Sequence, residues 1–316
     1  MKALKKDNCS SYNGNYLSSI KDCVTGQNLF SNMQYNERGQ LLGYGASGGR
    51  SFSQSYDSNG YPSSTSIGKN YPEAGSDVTL KYTIDPVTLN LTRRQKWSNN
   101  STILLFTEDF TYDPLDRLKE WEVTNSQDNS QVYTVNYSLN GNITHKSDMG
   151  LYAYNPSTPN AVEYIHSLEG DARSVADNHI AYNLFNKTSE MVVIQNDIEK
   201  SNYTITYGPD DHRKKATLTT NSGRSTFTTI YSGLFEERSD GQRLYHIKTP
   251  AGISALIVTN NKDATQRDIY YLYNDYQGSL IGVQKKGTTS LEQFSYDPCS
   301  VNVAFGEVTK PKAYMN

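Results

Sequence analysis

Three aspartates stand directly before proline, Asp85, Asp113 and Asp297, and paired carboxylates are common equipment for general acid–base chemistry. All three occupy the same place in a recurring pattern, where an Asp side chain caps a turn through its own backbone. They are expected to shape turns rather than move protons. Five histidines, His145, His166, His179, His212 and His246, are far apart in the sequence and share no metal-ligand spacing. His212 lies in Asp210-Asp211-His212-Arg213, which could be drawn as an active cluster. No Gly-x-Ser-x-Gly elbow is present for serine chemistry. The Gly-rich stretch Gly43-Tyr44-Gly45-Ala46-Ser47-Gly48-Gly49-Arg50 could cradle a phosphate. It lacks the strand-to-helix setting and the Gly-Lys-Ser/Thr ending, so a loop between repeats is expected. Cys9, Cys23 and Cys299 make an odd count without metal spacing; Cys9 and Cys23 could bridge, but three free thiols are the expectation. These residues support no catalytic site, metal site or cofactor, and the chain is not expected to be an enzyme.

The elements that would position such residues are repeats. Tyr, then Asn or Asp, then turn formers with Gly, then a short apolar–polar alternation recurs along the chain. Copies are Tyr12-Asn13-Gly14-Asn15, Tyr35-Asn36-Glu37-Arg38-Gly39-Gln40-Leu41, and Tyr56-Asp57-Ser58-Asn59-Gly60-Tyr61. Others are Tyr82-Thr83-Ile84-Asp85-Pro86, Phe110-Thr111-Tyr112-Asp113-Pro114-Leu115-Asp116-Arg117-Leu118, and Tyr137-Ser138-Leu139-Asn140-Gly141-Asn142-Ile143. Weaker copies begin at Tyr182 and Tyr207, and Tyr154 could mark one more. The spacing lies in the twenties, stretching to 30 between Tyr82 and Tyr112 (112−82). Two strands and two turns fit that length, and paired-helix repeats do not.

Composition agrees. There are 25 tyrosines against 9 phenylalanines and 2 tryptophans, with much Ser, Thr and Asn. Tyrosine suits half-buried sheet faces, because its ring is apolar and its hydroxyl stays polar. Alternating segments such as 131–137, 203–207 and 225–231 read as strands. A nearly all-β array is predicted, with the regular tyrosines forming a ladder, ring beside ring. Net charge is −3 without a basic stripe, so nucleic acid is not an expected partner. No apolar run approaches the ~20 residues of a membrane span. Met-Lys-Ala-Leu-Lys-Lys is followed by a polar stretch, so no export signal is expected in the chain itself.

At Tyr35 to Leu41 and Phe110 to Leu118 the pattern resembles the YD repeat of the Rhs/YD-repeat family. The likeness runs through Tyr137 to Ile143 and Tyr207-Gly208-Pro209-Asp210. It reaches Ile269-Tyr270-Tyr271-Leu272-Tyr273-Asn274-Asp275-Tyr276-Gln277-Gly278-Ser279-Leu280, which is similar to the opening of the Rhs-associated core, and then Phe294-Ser295-Tyr296-Asp297-Pro298. The resemblance implies a β-hairpin array over 1–265 and the start of a truncated core over 266–316. It implies a large curled, cocoon-like but incomplete sheet, with His212 at a solvated hairpin tip. The family's shells enclose a C-terminal cargo, often a toxin, freed by an aspartate-based self-cleavage for which the later core elements are missing here. The resemblance also implies a secreted or cell-surface location. The expected role is a non-catalytic shell segment whose partner is toxin cargo or a neighbouring Rhs-type polypeptide. The alternative is a surface carbohydrate-binding module, with exposed tyrosines and asparagines on glycans. Both strand ends of the array are expected to need pairing, Val301 to Gly306 included, so the chain is expected to associate with itself or with a neighbouring Rhs-type polypeptide, or else to aggregate.

Overall fold

In the computed structural model the chain forms one antiparallel sheet of 25 strands, with no helix among the described residues, 8–69, 76–98, 100–166, 177–195, 198–220, 225–261 and 263–296. The all-β prediction is met. The first eight strands are β1 (Asn8–Asn13), β2 (Tyr16–Asp22), β3 (Asn28–Tyr35), β4 (Leu41–Ala46), β5 (Arg50–Tyr56), β6 (Pro62–Lys69), β7 (Ser76–Ile84) and β8 (Leu91–Ser98). Each pairs with the next. Then come β9 (Ile103–Tyr112), β10 (Leu118–Asn125), β11 (Ser130–Tyr137), β12 (Ile143–Lys146), β13 (Gly150–Tyr154), β14 (Val162–His166) and β15 (Asp177–Tyr182). They are followed by β16 (Thr188–Gln195), β17 (Ile198–Tyr207), β18 (Arg213–Thr220), β19 (Ser225–Ser232) and β20 (Phe235–Arg238). From β11 to β20 each strand pairs with its successor. The last five are β21 (Gln242–Thr249), β22 (Gly252–Asn260), β23 (Asp263–Asn274), β24 (Leu280–Lys285) and β25 (Glu292–Gln293), of which β22 to β25 pair in order.

One turn device is used repeatedly. Asn36 N–H donates to the Gln40 carbonyl (3.0 Å), and its Oδ1 accepts from the N–H of Arg38 (3.0 Å) and of Gln40 (2.9 Å). Gly39 N–H closes the turn on the Asn36 carbonyl. Asp57, Asp113, Asn183 and Asp275 make the same set. The fourth residue needs a left-handed backbone, which Gly39, Gly60 and Gly278 adopt freely and Asp116 and Asn186 tolerate. The residue just before the turn is a β-bulge, at Tyr35, Tyr56, Tyr137, Tyr154, Tyr182 and Tyr207. A bulge re-aims one side chain, and the side chain it re-aims is the repeat tyrosine.

That tyrosine makes a hydrogen bond where a ring ladder was predicted. Tyr35 Oη donates to the Leu17 carbonyl (3.0 Å), Tyr56 to Leu41 (3.0 Å), Tyr137 to Leu118 (2.8 Å), Tyr154 to Ile143 (2.8 Å) and Tyr207 to Thr188 (2.8 Å). Each acceptor follows the turn of the preceding repeat, so each repeat is tied to the one before it. Phenylalanine could stack but could not do this, which accounts for tyrosine at these five positions. Rings do meet at Tyr16 and Tyr35, centroids 4.8 Å apart. The marker assigned to Tyr82 is two residues out of register, because the bulge before the Asp85 turn is Ile84; Tyr82 is a core residue. In the segment before Gly278 the bulge is Asn274, whose Nδ2 donates to the Ile253 carbonyl (2.8 Å) in the tyrosine's stead.

In space the chain divides into two units. One gathers residues up to Glu108, Thr124–Asp128 and everything from Leu244; the other holds Asp109–Val123 and Asn129–Arg243. In the first unit, strands early and late in the chain bury their apolar faces against each other. Ile20, Leu29, Phe30, Tyr44, Phe52, Ile67 and Val78 join Ile247, Ala255, Ile257, Ile269, Tyr271 and Tyr273 in one core. Phe30 sits edge-on to both Tyr44 (5.1 Å) and Tyr271 (5.7 Å). Burying each such side chain contributes about 1.5–3 kcal/mol. The Gly-rich stretch lies in this packing and is not a loop: β4 and β5 take most of it, leaving a tight turn at 47–49. A Cβ on Gly48 would stand 2.7 Å from the Tyr271 ring, so only glycine fits there.

Cys9 and Cys23 form a disulfide across β1 and the end of β2, with Cα atoms 5.3 Å apart. This corrects the expectation of three free thiols. Hairpin pairing brings the two cysteines together, a proximity that counting cysteines does not register. Asp297, Cys299 and Val301 to Gly306 lie outside the described residues.

Candidate functional site

The residues singled out for chemistry are tied into turns. Asp85 Oδ1 accepts from Thr88 N–H and Val87 N–H, both at 2.8 Å, and these bonds hold its carboxyl below the usual range. Asp113 takes Arg117 Nε at 2.7 Å besides two backbone amides; Arg117 is the main reason its pKa is lowered. The two carboxylates serve separate turns. His212 is 81% exposed, its Nδ1 2.6 Å from the Asp210 carbonyl oxygen, while Asp210 pairs with Lys214 Nζ at 2.8 Å. His145 lies in β12 and His246 in β21. His166 and His179 are not apart, as their sequence distance suggested. Pairing of β14 with β15 sets both rings against Tyr164, at 5.5 and 4.8 Å, with His166 Nδ1 3.5 Å from Asp177 Oδ2. Among the described residues no group of three or more His, Cys, Asp or Glu could hold a metal ion. The Gly43–Arg50 segment is already engaged: Gly48 accepts from Gln284 Nε2 (2.9 Å), and Arg50 reaches Asp77 (2.7 Å) and the Thr289 carbonyl (2.8 Å).

Sequence reading missed three buried charged clasps in the first unit, because each joins residues about 200 or more positions apart. Asp22, fully buried, accepts both Nε (3.0 Å) and Nη2 (2.9 Å) of Arg267, as well as Val24 N–H and Thr25 Oγ1. Burial alone would raise its pKa, but these donors outweigh it and hold the carboxyl below the usual range. Arg50 makes the second clasp, to Thr289. In the third, Arg94 binds Glu108 through Nε (2.5 Å) and Nη2 (3.0 Å) and gives a further bond to the Tyr296 carbonyl (2.9 Å). Lys96 beside it donates to the Phe294 carbonyl (3.3 Å) and Ser295 Oγ (3.0 Å). Burial, with Arg94 nearby, pushes the Lys96 ammonium down to about 8. Desolvation raises Asp275, whose carboxylate lies 4.0 Å from Arg94. Together these groups grip the main chain at 294–296.

The second unit carries a two-sided sheet. Register places Ile180, Met191, Tyr203, Leu218 and Phe227 in one row across β15 to β19. Paired residues share a face, so this row is wholly apolar. The adjoining row on the other face runs Glu190, Thr204, Thr217 and Thr228, with Asn202 Nδ2 on Glu190 Oε1 at 2.7 Å. In the apolar row Tyr203 is buried, and Ile180, Met191, Leu218 and Phe227 are half-buried. Half-buried apolar side chains aligned in this way form an apolar strip on one face of the sheet. Alternation predicts each strand's two faces; the row becomes visible only once the strands are in register.

No protein-family model matches the chain, and no curated protein matches it in sequence. Its fold is similar to chains in solved toxin structures. A TcdB2-TccC3 crystal structure matches with a TM-score of 0.58 at 14% identity, over 87% of this chain and 17% of that one. A TcdB2-TccC3-Cdc42 crystal structure matches at 0.57 and 13% identity, over 87% and 16%. A mutant Photorhabdus luminescens Tc holotoxin pore matches at 0.52 and 13% identity, over 88% and 17%. The chain spans about a sixth of the length of those chains. At such identity the likeness is one of fold, and it is the fold expected from the tyrosine repeats.

Proposed function

We propose that this chain is a non-catalytic wall segment of an Rhs-type toxin shell, whose apolar sheet face contacts another polypeptide. The observation that carries this reading is the apolar, half-buried row Ile180, Met191, Tyr203, Leu218 and Phe227, backed by a threonine-rich opposite face. The likeness to TcdB2-TccC3 chains supports it. Among the described residues no helix is long and apolar enough to cross a membrane, and the disulfide suits an oxidising compartment. The disulfide agrees with a secreted or cell-surface role. The carbohydrate-binding reading has less support, because the repeat tyrosines spend their hydroxyls on backbone carbonyls.

The test places a photoreactive benzoylphenylalanine at Phe227 in cells that make the protein. Irradiation should capture a polypeptide, identified by mass spectrometry as a neighbouring chain or a segment fused to this one. Capture of glycan alone, or of nothing while a glycan array returns a submillimolar ligand, would replace the shell reading with the sugar-binding one.

A further inference from the structure

The repeat turns carry a feature that folding does not ask of them. The most exposed large apolar side chains among the described residues all stand at these turns: Leu139 and Leu184 are fully exposed, Val87 is 87% exposed, and Leu115 and Phe185 are each 72% exposed. Scattered surface leucines are ordinary, but these recur at one place in the repeat. Turn closure uses only their main chain, as when Leu115 N–H donates to Asp113 Oδ1 and Phe185 N–H to Asn183 Oδ1. Polar residues fill the same places at Glu37-Arg38 and Ser58-Asn59. An apolar tip of this kind gains nothing until something apolar covers it.

In the second unit three of these turns line one edge of the sheet: 113–117 with Leu115, 138–142 with Leu139, and 183–187 with Leu184 and Phe185. The turn at 155–161 stands among them. The Arg117 guanidinium lies 4.3 Å over the Tyr137 ring, Asn142 Nδ2 donates to the Pro159 carbonyl (2.6 Å), and Thr158 and Ala161 share a hollow with Asn183 and Leu184. Successive turns on this edge are two strands, or about 10 Å, apart, so the apolar tips span roughly 30 Å. The row ends at 208–212, where the tip is Pro209-Asp210-Asp211. On the opposite edge the described turns at 147–149 and 239–241 are polar apart from Met149, which is 38% exposed. The charged residues of the four turns are Asp113, Asp116, Arg117 and Lys187, two acids balanced by two bases.

We propose that this edge docks on a membrane surface, with Leu115, Leu139, Leu184 and Phe185 dipping into the acyl region of a zwitterionic leaflet. Convex tips about 10 to 20 Å apart suit a fluid phase, which closes around each side chain singly. A protein would need a matching pit for each tip and would have to cover the polar turns between them. The apolar area is also small against the roughly 800 Å² per partner of a stable protein interface, whereas partition into lipid adds up side chain by side chain. Balanced charge favours phosphatidylcholine-type headgroups, because no excess of Lys or Arg is there to draw anionic ones. The contact does not involve the apolar row on the sheet face, so it stands apart from the shell reading.

The test floats the full chain with phosphatidylcholine vesicles on a density gradient. Wild type should rise with the lipid. Leu139→Ser/Leu184→Ser should bind at least about tenfold more weakly, since withdrawing one leucine side chain from an apolar phase already costs roughly that factor. Leu139→Phe/Leu184→Phe should bind like wild type, and both pairs should melt with it, because these tips bury nothing in the fold. Binding should change less than about twofold in about 1 M NaCl, which screens charge and spares apolar contact. Brominated lipid should quench the added fluorescence of Leu139→Trp and spare that of Met149→Trp on the opposite edge. No flotation, flotation that survives the serine pair or is lost in salt, or equal quenching at both positions would overturn the proposal. So would vesicles left unbound while benzoylphenylalanine at Leu139 captures a polypeptide, a result that assigns the edge to protein contact.

Discussion

Removing one oxygen isolates the tyrosine clamp. Tyr207→Phe keeps the ring and deletes the bond to the Thr188 carbonyl, so urea unfolding should show a loss of about 1 kcal/mol. An unchanged midpoint would mean that the clamp is incidental to the repeat. Lys96 supports a second test. Its folded pKa lies near 8, below the ordinary 10.5, because burial disfavours the ammonium. Between these values the unfolded chain holds the proton more tightly, so stability should rise as pH climbs from 8 towards 10. Lys96→Met removes that titration. The melting free energy of the variant should climb by about 2 kcal/mol less than wild type over this window, the equivalent of most of a two-unit interval.

At the scale of elements, the clasps decide how the early and late strands of the first unit stay together. Arg267→Ala leaves the Asp22 carboxylate buried without its charged partner, a change that typically costs about 3 kcal/mol. The folded pKa of Asp22 is depressed, so its contribution is fully present above the unfolded value of 3.8 and fades as pH falls below it. The gap between wild type and Arg267→Ala should therefore narrow in acid; a gap that is flat with pH would assign the cost to lost packing. Sequence reading could not reach these pairs. Asp22 and Arg267 are 245 positions apart, and neither stands in a motif. The turns were legible because Asn36, Asp57 and Asp113 bond within five residues. The Tyr82 marker slipped because this repeat carries Ile84, not a tyrosine, at the bulge before its turn, and the nearest tyrosine stands two residues upstream.

At the scale of the molecule, the same repeat has two fates. In the first unit the apolar faces of distant strands cover each other in a shared core. In the second the apolar row is half-buried, and under the proposed function a partner polypeptide completes its cover. Met191→Lys should therefore cost little stability, within about 1 kcal/mol, while sharply reducing benzophenone capture at Phe227. A large loss of stability would show that the face is already covered. The all-β class was readable from composition and alternation, whereas the apolar row required pairings that only a register supplies.

Strands that bond only to their nearest neighbours also have a mechanical signature. Between β11 and β20 each strand pairs with the next, and tyrosines tie one repeat to the one before. A load applied between 129 and 243 therefore meets hairpins in series and peels them as a zipper opens. Optical tweezers should record a staircase of small rips, each releasing roughly one repeat of contour length. In the first unit, crosslinks between positions more than 200 residues apart put many bonds in parallel, and it should yield late, in one large rip.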